Sequence, residues 1–249
     1  MGYNRRRKPK EPDPVNGILL VDKPTEWTSH DVVAKIRNHF KFNKVGHGGT
    51  LDPLATGLLI ILIGKGTKLS QHVMAAIKEY EGTIHLGHVT DSQDRDGQLL
   101  EENDASGITQ EMFEAEMENF KGDIQQIPPM VSAIKKNGTA LYKLARKGEV
   151  IEREPRDCTI YDYKLKRFEN PLADVKVCCS KGTYIRTLAH DIGANLGCGA
   201  CLDELRRTAS GKFRIEDALT LEEILEYDRD TIGEKMIHMA DLTPDDLKD

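Results

Sequence analysis

The feature that most constrains this chain is the stretch "GHGGTLDPLATGLLIILI", residues 46–63. Leu58 to Ile63 are six apolar residues with no polar alternation, so a strand formed there must be buried on both faces. Six residues fall far short of the roughly 20 a membrane span needs. Ahead of that strand lies a glycine-rich loop carrying one carboxylate, Asp52. Aspartate before proline is an ordinary turn residue. The alternative is functional: Gly46, Gly48 and Gly49 let a backbone or ligand approach closely, while the buried strand fixes the acid in position. A single acid does not make the carboxylate pair of a glycosidase. It can still attack a sugar carbon as a nucleophile.

Around this centre the periodicities alternate irregularly. "NGILLVDKP" reads as a short buried strand stopped by proline, and "TSHDVVAKIRNHF" as a helix capped at Thr28 or Ser29. A helix and then a strand beginning near Lys78 follow the loop, and a further helix spans Ile108 to Phe120. Two strands, near Cys158 to Arg167 and Ala173 to Ser180, precede a helix in "GTYIRTLAHDIGANLG" closed by Gly197. Strands outside a simple β-α alternation predict an α+β fold on a mixed, mostly antiparallel sheet.

Several chemistries are excluded. "GKGTK" lacks the earlier glycine of a phosphate loop, because Leu59 stands there. "TDSQDRDG" fails as a calcium loop, since aligning Gly97 puts Asn103 where a bidentate acid belongs. His85 and His88, at i and i+3 of a strand, are expected to face opposite sides. The five cysteines show no disulfide framework and read as reduced thiols of a cytosolic protein. The net charge of −6 hides a segregation: residues 216–249 carry −9, leaving +3 on the rest. Basic clusters stand at residues 5–10 and at Lys135, Lys136, Lys143, Arg146 and Lys147. Such a distribution permits either a nucleic-acid face or two solvated surfaces.

At this point a resemblance enters. "KVGHGGTLDPLATGLLIILIGKGTK" resembles the second motif of the TruB family of RNA pseudouridine synthases, and "VDKPTEWTSHDVV" its first. "KEYEGTIHLGHVTDSQDRDG", "IPPMVSAIKKNGTALYKLARKGE" and "CSKGTYIRTLAHDIGANLGCGACLDELRRTASGKF" are similar to later segments of that family. The resemblance implies the pseudouridine-synthase fold and isomerisation of uridine 55 in the tRNA T-loop, without cofactor or metal. Asp52 matches the catalytic aspartate and Arg186 the arginine paired with it. Tyr80 matches the tyrosine that stacks on the base and is available to take a proton. Tyr184 and Leu205 match residues lining the uridine pocket, and His47 the histidine that holds the flipped-out loop. The lysines and arginine of 135–147 match a thumb gripping the RNA backbone.

The expected organisation is a disordered basic tail over 1–14, a catalytic domain over 15–225 with a thumb at about 124–152, and an acidic segment over 226–249. No PUA domain is expected. A cytoplasmic monomer is expected, acting on the T-arm with neither a membrane nor an obligate protein partner. Gly48 departs from the bacterial G-H-T-G loop, and Val131 replaces a frequent tyrosine. Two rival readings remain: a guide-dependent, dyskerin-like synthase, and a tRNA-binding folding chaperone with dispensable catalysis.

Overall fold

The structure is a computed structural model describing Asp13, residues 15–132, the backbone of 135–136 and 139–140, and residues 151–242. The apolar run becomes a central strand. β1 (Gly17–Lys23) pairs antiparallel with β3 (Thr56–Ile63), and β2 (Val45–His47) also pairs with β3. Every residue from Leu58 to Ile63 is fully buried. Leu59, Ile61 and Ile63 join the larger core beneath α1 (Ser29–His39). Leu58, Ile60 and Leu62 join a second cluster with Val73 and Phe213. Burial on two faces is why the sequence lacks alternation.

β3 meets β12 (Ala200–Ser210) in parallel over two residues, Arg206 and Arg207 opposite Thr56 and Gly57. From β12 the sheet continues antiparallel through β4 (Lys78–Leu86), β11 (Leu172–Cys179), β10 (Arg156–Glu169) and β7 (Gly122–Gln126). β5 (His88–Thr90) and β6 (Leu99–Glu102) form a hairpin apart from that sheet. The α+β, mostly antiparallel arrangement expected from the sequence is the one observed. α3 (Gln110–Asn119) and α4 (Ile185–Asn195) also pack on this core, through Phe113 and Met117 and through Leu188 and Ile192.

The segments outside the expected catalytic boundaries take part in the fold where they are described. Asp13, placed by the sequence in a disordered tail, accepts from the backbone N–H groups of Asn43 (2.6 Å) and Lys44 (3.1 Å). Ile232 and Met236 are buried in the main core, and β15 (Ile237–His238) pairs with β1. Residues 1–12 and 243–249 lie outside the described residues. Among the described residues, no helix is long and apolar enough to cross a membrane.

Candidate active site

The Asp52 loop crosses the seam between β3 and β12, and buried side chains bind its backbone from several sides. Ser29, at the start of α1, both accepts from Leu51 N–H (2.8 Å) and donates to Leu51 C=O (3.1 Å). Lys23 has no exposed surface and donates to the carbonyls of Pro24 (2.8 Å), Trp27 (2.7 Å) and Pro53 (3.2 Å). Arg207 reaches the carbonyls of Gly49 (3.3 Å) and Thr50 (3.5 Å) and is anchored on Leu58 C=O at 2.7 Å. A loop whose carbonyls are held this way keeps its one acid in place.

Arg186, the second residue of α4, places Nε 3.0 Å from Asp52 Oδ2. The rest of its guanidinium is also held: Nη1 by Ser92 C=O (3.0 Å) and Asp94 Oδ2 (3.2 Å), Nη2 by Val131 C=O (2.9 Å). The arginine side chain is 3% exposed, whereas that of Asp52 retains 37% and faces a cleft of about 550 Å³. Tyr80, Tyr184, Leu205 and Arg207 line the same cleft. Of the residues expected in the site, the fold therefore gathers Asp52, Tyr80, Tyr184, Arg186 and Leu205. His47 stands apart on β2, edge-on to His30 with ring centroids 5.3 Å apart. Of the basic cluster, Lys135 and Lys136 form a short strand paired with residues 139–140. Lys143, Arg146 and Lys147 lie outside the described residues.

A nearby arginine by itself lowers a carboxyl pKa. Burial instead raises that of Asp52 above the ordinary carboxylate value; Arg186 opposes that shift and Asp94 adds to it. Two carboxylates thus share one guanidinium, with Asp52 nearer the opening. Tyr80 and Tyr184 are both pushed up by burial, so each rests as a phenol. Burial lowers His47 to about 4, with His30 and Arg207 adding to the effect, so its imidazole is neutral.

Three residues escaped the sequence reading: Asp94, Lys23 and Arg207. Asp94 lies in the acidic turn rejected as a calcium loop, and that turn faces α4. In the sequence Lys23 is only the lysine before the proline that ends "NGILLVDKP", and Arg207 only the second arginine of "LRRT". The histidine expectation is corrected: His85 and His88 stack with centroids 4.0 Å apart. Gly87 between them takes φ +87, which ends β4 and turns the next strand back.

Comparison with solved structures finds this fold over most of the chain. The chain superposes with a TM-score of 0.67 and 34% identity on a chain of "Crystal Structure of a Cbf5-Nop10-Gar1 Complex", covering 85% of this chain and 54% of that one. A second match, to "Structure of H/ACA RNP bound to a substrate RNA containing 2'-deoxyuridine", has a TM-score of 0.64 and 30% identity, covering 85% of this chain and 53% of that one. The chain thus spans about half the length of these structural relatives. A model of the TruB family pseudouridylate synthase N-terminal domain matches residues 37–185, and one of the tRNA pseudouridylate synthase B C-terminal domain matches residues 186–242. The chain belongs to the TruB family. It is 51% identical over 230 residues to a tRNA pseudouridine synthase B of Opitutus terrae, covering 92% of this chain and 95% of that one. It is 45% identical to one of Saccharophagus degradans, covering 98% and 77%.

Proposed function

We propose that this chain is a tRNA pseudouridine synthase that isomerises the T-loop uridine at position 55, with Asp52 as the group that drives glycosidic cleavage. The observation that carries the reading is the Arg186–Asp52 ion pair at the base of a cleft shared with Tyr80. The reaction breaks N1–C1′, turns the uracil and joins C5 to C1′, so no atom is lost and no electron enters. Ionised Asp52 presents an oxygen to the ribose as C1′ loses its bond to nitrogen. The fixed guanidinium favours the ionised form and opposes the effect of burial. A uridine reaches such a cleft only when extruded from its stack, which costs a few kcal/mol. Tyr80 and Leu205 offer it a new stacking surface. Lysines and arginine of the 135–147 segment grip phosphates, and the enzyme works in the cytoplasm as a monomer.

Identities of 51% and 45% to chains named tRNA pseudouridine synthase B, against 34% to a chain of the Cbf5-Nop10-Gar1 complex, support this reading over the guide-dependent one. Tritium release from C5-labelled uridine tests it, on an unmodified tRNA transcript and on a free T-arm stem-loop without guide RNA. Wild type should release tritium from both, and Asp52→Asn should release none while still binding RNA. Release from neither by the wild type refutes the proposal. An undiminished cellular effect of Asp52→Asn would favour the folding-chaperone reading.

A further inference from the structure

Arg207 is 2% exposed, and each of its described hydrogen bonds ends on a backbone carbonyl. Among the described residues, no carboxylate forms an ion pair with it, whereas Arg186 has two and the adjacent Arg206 has one. Carbonyls satisfy N–H groups but do not neutralise a charge, and a buried cation without a counter-ion is costly. Loop-holding alone does not account for a charged side chain here, since a neutral donor serves that purpose without the desolvation penalty. The β12–β4 register sets Arg207 directly opposite Tyr80, its charge favours the ionised form of that phenol, and both residues line the cleft.

We infer that Arg207 is a positioning residue for the proton-transfer half of the reaction, holding Tyr80 and supplying the positive charge that its phenolate requires. This rests on the function proposed above. Uridine has a hydrogen on C5 and none on N1; in pseudouridine the reverse holds. The Tyr80 phenol gives its proton to N1 once that nitrogen has lost C1′, leaving a phenolate beside Arg207. After C5 joins C1′, the C5–H bond breaks, its electron pair returns to the ring, and the phenolate takes the proton. The phenol is regenerated, and no external acid or base is consumed. The rest-state preference of Tyr80 for its proton, raised by burial and opposed by Arg207, fits a group that ionises only in passing.

The test is single-turnover pseudouridine formation on tRNA transcripts carrying either hydrogen or deuterium at C5 of the target uridine. Wild type and Asp52→Asn serve as controls for the underlying reaction. Arg207→Gln is expected to slow the wild-type rate on the order of 100-fold, the scale of one lost proton-transfer group. It should leave tRNA affinity within about threefold and expose a larger C5 isotope effect. In a Tyr80→Phe background it should add less than about threefold, because the two act as one unit. Arg207→Lys should recover part of the rate. Should Arg207→Gln fail to fold, Arg207→Lys carries the isotope measurement, with an enlarged effect still expected. Slowing that multiplies with Tyr80→Phe, or that comes with an unchanged isotope effect, would mean a purely structural arginine and overturn the inference. An inactive wild type would overturn the proposed function instead.

Discussion

Asp94→Asn exchanges one oxygen for an NH2 group at a site surrounded by donors. The Asp94 carboxylate is 6% exposed and accepts from Ser92 Oγ (2.5 Å), Asp96 N–H (3.2 Å) and Arg186 Nη1 (3.2 Å). One orientation of the amide sets its NH2 against the guanidinium. The other sets it against the Asp96 N–H. Either leaves a buried donor facing a donor, and removal of one member of a buried pair typically costs about 3–5 kcal/mol. Arg186 keeps Asp52 and two carbonyls, so a loss near the lower end, about 3 kcal/mol, is expected in urea denaturation. The guanidinium then loses its inner carboxylate, and a shift near 1 Å at a reacting group costs about 100-fold in rate. Because Asp94 raises the Asp52 pKa, its neutralisation should also move the acid limb of the pH–rate profile to lower pH. Tritium release under single turnover, measured across pH, reads both effects. A variant with the wild-type midpoint and a rate within about threefold would refute the idea that Asp94 orients Arg186.

Three further outcomes are expected. Asp52→Asn should be at least as stable as wild type at neutral pH: a folded-state carboxyl pKa above its unfolded value contributes stability that is present at low pH and lost as pH rises through the folded pKa. Denaturant midpoints at acidic and neutral pH should therefore differ less in the variant. Lys23 is lowered by burial to about 8 from 10.5, so wild type should gain stability as pH rises from about 8 to 10.5. Lys23→Met should flatten that rise in the same measurement. At Gly48 a Cβ would lie 2.3 Å from Val73 Cγ1, so Gly48→Thr should cost about 1–3 kcal/mol by overpacking. Gly48→Thr combined with Val73→Ala should recover most of that loss in thermal melts; no recovery would exclude the clash as its cause.

Gly48 also shows what local sequence leaves out. The departure from the bacterial loop was visible, but its partner, Val73, lies 25 positions later and shares no motif with it. The histidine pair failed for a related reason: one residue of positive φ at Gly87 redirects a strand that spacing treats as continuous. The spacing of the acidic turn argued against calcium, but its use as the second carboxylate of Arg186 required α4 to be packed against it.

Two things were already determined along the chain. An unalternating apolar run has to lie inside a sheet, and a short glycine-rich loop entering it cannot carry its single acid far. Those are local consequences of burial and backbone freedom, and the motifs around them indicated the family. Tertiary structure decided the rest. It brought Arg186 across 134 positions to Asp52, placed Arg207 beside Tyr80 through strand register, and let desolvation outweigh the arginine in setting the Asp52 pKa. Ion pairing and desolvation depend on distance and on excluded water, and neither is a property of sequence spacing.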